Sequence, residues 1–115
     1  MNMTSPPTRA YLHGLAEPLN SDLKKVLKSV ACDTAESPQQ AQIVFCAWDP
    51  QEFQSLRSQF GTLPVVVVSR VPDMSGWLDA LEAGASDYCA APFESIQLRW
   101  ILDAHLRHPL RSAAA

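Results

Sequence analysis

Few side chains in this sequence have a type and spacing that could do chemistry, and each has a plainer use beside it. The histidines are His13, His105 and His108, and none has a second ligand at metal spacing. His105 and His108 stand three apart near the end of a helical pattern, where a cation complements the helix dipole. Cys32, Cys46 and Cys89 are odd in number and contain no Cys-x-x-Cys pair. That pattern argues against a disulfide framework and a zinc site and predicts three free thiols in apolar strands. Ser69 lacks a Gly-x-Ser-x-Gly or Ser-His-Asp context for nucleophilic catalysis. Glu17 and Asp49 are carboxylates just beyond the ends of two apolar strand patterns. Asp49 also reads as a helix cap, and Glu17 sits where it complements the start of a helix. The segment Leu12-His13-Gly14-Leu15-Ala16-Glu17-Pro18 holds one glycine, too few for a loop that cradles a phosphate. These residues predict no catalytic centre, no metal and no cofactor.

The elements that would position them follow from hydrophobic spacing. Arg9–Leu15 reads as a weak first strand with Gly14 near its end. Leu19, Leu23, Val26, Leu27 and Val30 line one helical face, with Pro18 in the first turn. Cys32–Ala35 is a poor second strand, and Ser37-Pro38-Gln39-Gln40 suits a single helical turn capped by Ser37. Ile43–Ala47 is an unbroken apolar run, as a strand covered on both faces requires. Asp49-Pro50-Gln51-Glu52 starts a helix whose buried stripe is Phe53, Leu56 and Phe60 and which Gly61 stops. Val65–Val68 is the strongest strand and is expected at the centre of the sheet. Met74, Trp77, Leu78 and Leu81 then mark a helix stopped by Gly84. Asp87–Ala90 is a short last strand, and Pro92-Phe93 leads into a final helix buried through Leu98, Ile101, Leu102 and Leu106 and ended by Pro109.

Five strands alternating with five helices, the second vestigial, predict an α/β fold: a doubly wound five-stranded parallel sheet of flavodoxin-like size. In such folds the working site lies at the carboxyl ends of the central strands, here near Gly14–Leu15, Ala47–Trp48, Ser69–Arg70 and Ala90–Ala91. The 115 residues make one domain, expected over 9–108, with a disordered segment at 1–8 and a tail or linker at 109–115. Hydrophobic residues reach 47%, enough for a core, and the net charge is -3. An acidic balance speaks against direct nucleic-acid binding and a polybasic membrane surface. No apolar run approaches the ~20 residues of a membrane span, and no secretory signal is visible. The chain is therefore expected in the cytoplasm.

The second half carries a resemblance. Leu63-Pro64-Val65-Val66-Val67-Val68-Ser69, then Leu81-Glu82-Ala83-Gly84-Ala85-Ser86-Asp87-Tyr88, then Ala91-Pro92-Phe93 resembles the receiver domain of bacterial response regulators, the CheY-like family. The likeness covers residues 63–106 in motif and 9–62 in element order. It implies a receiver (βα)5 fold and a place in two-component signalling. A receiver takes a phosphoryl group from a histidine kinase onto an aspartate at the end of strand three. Two acids after strand one hold Mg²⁺, and a Thr/Ser and a Lys at the ends of strands four and five contact the phosphoryl oxygens. Carried onto this sequence, the acidic pair falls on Gly14 and Leu15, the acceptor on Ala47 and the lysine on Ala91; only the hydroxyl remains, as Ser69. The resemblance therefore points to a pseudo-receiver with a degenerate phosphorylation pocket.

The sequence reads best as a non-phosphorylatable, receiver-like interaction module of bacterial signal transduction, not an enzyme, which could be the N-terminal part of a larger regulator. One alternative is a live phospho-accepting receiver using the displaced acids Glu17 and Asp49. Another is a small flavodoxin-like ligand-binding domain. Trp77 falls on a core face by spacing, and Trp48, after the lost aspartate, either plugs the former pocket or belongs to the core. Trp100 lies off the core stripe of the last helix with Arg99 and Asp103 beside it. Receivers commonly associate through helix four, strand five and helix five, so these three residues mark a candidate interface for a signalling partner or a homodimer.

Overall fold

A computed structural model describes residues 8–70 and 74–106. The N-terminal segment before Thr8 and the tail expected over 109–115, with His108 and Pro109, lie outside the described residues. The strands are β1 (Thr8–His13), β2 (Cys32–Thr34), β3 (Ile43–Ala47), β4 (Val65–Ser69) and β5 (Asp87–Ala90). They form one parallel sheet in the order β2-β1-β3-β4-β5. The helices are α1 (Leu19–Ser29), α2 (Pro50–Gln59), α3 (Met74–Glu82) and α4 (Ser95–Leu106). This is the doubly wound, flavodoxin-like receiver arrangement. The expected fourth and fifth helices are α3 and α4, because the vestigial second one is only a 3-10 turn over Pro38–Gln40.

The sheet divides two apolar cores by the alternation of side chains along its strands. Ile43, Phe45, Val66 and Val68 face Leu23 and Leu27 of α1 and Leu98, Ile101 and Leu102 of α4. Val44, Cys46, Val65 and Val67 face Phe53 and Leu56 of α2 and Ala80 of α3. The first four residues of both β3 and β4 are buried. Fully burying each such side chain contributes roughly 1.5–3 kcal/mol.

Several expectations shift in detail. β3, not the Val65–Val68 strand, is the middle of the five; β4 is interior, between β3 and β5. β1 starts at Thr8 and ends at His13, before Leu15, because Gly14 turns the chain with a φ of 72°. β2 stops at Thr34, although the Ala35 N–H still donates to the Ala10 carbonyl at 2.8 Å. Ser37 makes no side-chain cap. Asp49 does: its carboxylate accepts from the Gln51 N–H at 3.0 Å and the Glu52 N–H at 3.2 Å. Phe60 is the half-buried residue that closes α2, not part of its buried stripe. The clearest correction concerns α3. Trp77, Leu78 and Leu81 are exposed, while Gly76 and Ala80 are buried. The small residues let the helix lie close on the sheet, and the bulky ones flank that contact beside edge strand β5. The side chain of Met74 lies outside the described residues.

Cys32, Cys46 and Cys89 are all free and buried. Cys46 and Cys89 sit on strands separated by β4 and face opposite cores, which keeps them from bridging. Burial pushes the Cys32 thiol up to about 11 and those of Cys46 and Cys89 up to about 12. An unfolded thiol titrates near ~8.5. The raised folded values therefore favour the native state below ~8.5, and that contribution is lost as pH rises toward the folded values. A thiol reagent at neutral pH should label no cysteine in the native protein and three after denaturation. Urea midpoints should fall between about pH 8.5 and 11, and less steeply in Cys89→Ala.

Candidate functional site

The register of the sheet brings the sequence-selected positions to one edge. His13 pairs with Cys46, Ala47 with Val68, and Ser69 with Ala90, so β1, β3, β4 and β5 end side by side. Gly14, Leu15, Ala47, Ser69 and Ala91 thus lie at or just beyond four adjacent strand ends. None of the five carries a carboxylate or a cation. Gly14 is exposed in the left-handed region, with nothing within 4 Å of the place a Cβ would take, so backbone conformation and not space favours glycine there. Leu15 packs against the first core. Ala47, Ser69 and Ala91 are half-buried, and the Ala91 N–H donates to the Ser69 carbonyl at 2.9 Å. Trp48 packs on the second core, edge-on to Phe53 at 5.7 Å between ring centroids, which gives it a core role.

The two displaced acids both serve helix starts. The Glu17 carboxylate accepts from the Ser21 hydroxyl at 2.6 Å, the Ser21 N–H at 3.1 Å and the Asn20 amide at 3.4 Å. These bonds, with the Ser21 hydroxyl foremost, hold its pKa below the usual carboxylate value. Asp49 is occupied by its cap on α2. Among the described residues no group of three or more His, Cys, Asp or Glu side chains is arranged to hold a metal ion.

Two histidine–carboxylate pairs escaped the sequence reading. His13 Nε2 donates to Glu52 Oε1 at 2.8 Å, and the His13 ring lies 5.9 Å from that of Tyr11. Glu52 had an apparent local use as the third residue of a capped helix start; its carboxylate instead reaches across to β1. His105 Nε2 donates to Asp87 Oδ2 at 3.1 Å, while Asp87 Oδ1 accepts from the Tyr88 N–H at 2.8 Å. His105 stands in the last turn of α4, as expected, and in addition ties α4 to β5. Both pairs join residues distant in sequence, and no local pattern signals them.

The exposed large apolar side chains belong to two helices. Trp77, Leu78 and Leu81 of α3 are 40%, 51% and 38% exposed; Ile96 and Trp100 of α4 are 55% and 66%. These are all the exposed large hydrophobic side chains among the described residues. α3 packs beside β5 and α4 is tied to it, on opposite faces of the sheet. Trp100 points outward, as its place off the core stripe predicts, with Arg99 exposed next to it and Asp103 half-buried one turn on. No helix among the described residues is long and apolar enough to cross a membrane.

No family model matches this chain, and no curated protein matches it in sequence. Its fold has many solved relatives. A protein of Chloroflexus aurantiacus assigned as a response regulator superposes with a TM-score of 0.74 at 21% identity, over 89% of this chain and 99% of that one. An orphan response regulator of H. pylori gives 0.64 at 23% identity, over 86% and 96%. NtrX of Brucella abortus gives 0.77 at 17% identity, over 95% of this chain but only 28% of that longer one. The likeness is one of fold: this chain has the receiver fold.

The Glu17 cluster makes a prediction of sign. Ser21→Ala should return the Glu17 pKa toward the ordinary glutamate value, as carboxyl carbon NMR over an acid titration would read. Because the folded value is lowered, the cluster stabilises α1 above the unfolded pKa and loses that effect as pH falls through the folded one. An unchanged Glu17 titration in the variant would show that the hydroxyl is not its main partner.

Proposed function

We propose that this chain is a regulatory protein-interaction module of bacterial two-component-type signalling. In this reading it has kept the receiver fold, is not phosphorylated and works by docking through α3, β5 and α4. The observation that carries the proposal is the confinement of exposed large apolar side chains to α3 and α4. Bulky apolar side chains left exposed on the two helices that flank β5 suit an interaction surface, and Trp is among the residues most enriched in binding hot spots. The occupant is a signalling protein or a second copy of this chain, with no cofactor and no direct contact to nucleic acid. The module acts alone or as the N-terminal part of a larger regulator.

The chemistry at the carboxyl edge supports the unphosphorylated state. Transfer to a receiver needs a carboxylate nucleophile, a hard cation on oxygen ligands and a positive charge on the moving group. Ala47 replaces the first, Gly14 and Leu15 the second, and Ala91 the third. Docking is then constitutive, since the switch that gates it in a phosphorylated receiver has no acceptor.

Two measurements test this. Incubation with acetyl phosphate and Mg²⁺ should leave the intact mass unchanged; an added phosphoryl group that disappears in Asp49→Asn would replace this reading by the live receiver. Trp100→Ala should weaken association on the order of 30-fold, as for a hot spot of ~2 kcal/mol. The same change should shift unfolding stability by no more than ~0.5 kcal/mol, as at an exposed site. Light scattering and a urea melt on the one variant read both, and an association constant equal to that of the wild type would exclude Trp100 from the interface.

A further inference from the structure

An α/β sandwich covers both faces of its sheet, and here the cover is incomplete at one place. On the face of β1 that carries α2, the second helix is replaced by the 3-10 turn Pro38–Gln40. The gap is a groove of about 380 Å³, within the ~300–1,000 Å³ usual for small-molecule sites. Tyr11 and His13 form its floor, Gln39 stands on the side of the turn, and Glu52, Gln59 and Phe60 line the side of α2. It lies toward the β2 edge of the sheet, away from the α3–β5–α4 surface.

The lining has a definite chemical character. Three rings (Tyr11, His13 and Phe60) are half-buried and offer stacking surface. Gln39 and Gln59 are exposed primary amides, each able to donate and accept at once. The Glu52 carboxylate is held by His13 at 2.8 Å, and no Lys or Arg lines the groove. No fixed cation there would compensate a phosphate, which disfavours an anionic ligand. An aliphatic ligand would leave the amides without partners. A flat heteroaromatic ring system with donors and acceptors on its edge satisfies both the rings and the amides.

We propose that this groove binds a purine base or nucleoside without a phosphate. The proposal does not depend on the signalling role, since it uses neither the carboxyl edge nor the α3–β5–α4 surface. Adenosine, titrated into isotope-labelled protein and followed by amide and side-chain NMR, is the probe. Saturable shifts should centre on Tyr11, His13, Gln39 and Gln59, with a Kd on the order of 0.1 mM for a ligand of this size. Gln59→Ala, at an exposed helix position, should weaken binding about 3- to 10-fold by removing one hydrogen-bonding group. Tyr11→Leu should weaken it by about 10-fold or more through lost stacking, with circular dichroism confirming an intact fold. AMP should bind no more tightly than adenosine, and ribose should give no saturable shift. Shifts that do not saturate, that map outside the groove, or that persist unchanged in Gln59→Ala would overturn the proposal. Tenfold tighter binding of AMP would overturn it too.

Discussion

Everything in this molecule follows from the need to cover β3 and β4 on both faces. Each strand presents apolar side chains alternately up and down, and each buries its first four residues. Such strands cannot border water on either side without exposing Phe45, Val44 and the valines of β4. Helices α1 and α4 meet that need on one face, and α2 and α3 on the other. Toward the margins of the sheet the cover thins: over β1, next to the short edge strand β2, it shrinks to a single 3-10 turn, and beside edge strand β5 it is met by a helix seated on Gly76 and Ala80. The groove over β1 and the exposed bulky side chains of α3 both arise at the margins of a fully covered centre.

The same distinction explains how much of the structure could be read from sequence. Where burial is two-sided, composition suffices. Ile43–Ala47 was legible to the residue, and Val65–Val68 lacked only Ser69, because no other arrangement hides such runs. The Asp-Pro start of α2 was equally plain, since cap and proline act within one turn. Periodicity misled in α3, where the apolar spacing of Trp77, Leu78 and Leu81 matches a core face. The helix turns smaller residues inward, because close approach to the sheet at its margin is decided by what lies beneath the helix.

The candidate site was legible in part. The strand ends that hold Gly14, Leu15, Ala47, Ser69 and Ala91 could be located because strand boundaries could. The outward position of Trp100 followed from the stripe it does not belong to. The partners of His13 and His105 could not be found this way. Glu52 and Asp87 reach them across the fold, through strand register and helix placement that no local spacing encodes. The groove over β1 is of the same kind, since its lining comes from β1, the 3-10 turn and α2.

The position of β1 has a consequence for how the chain acquires this shape. β1 is hydrogen-bonded on both sides, to β2 and to β3, and the Arg9 N–H donates to the Gln42 side chain 33 residues away at 2.6 Å. The first strand therefore cannot complete its pairing until β3 has left the ribosome. β2, with three residues, is too short to hold it alone. During synthesis the amphipathic α1 is present before the sheet that buries Leu23 and Leu27. Of the four strand pairings, β1 with β3 joins residues farthest apart in the chain, so its closure costs the most loop entropy. β4 and β5, which follow in the chain, extend the sheet from the opposite edge of β3.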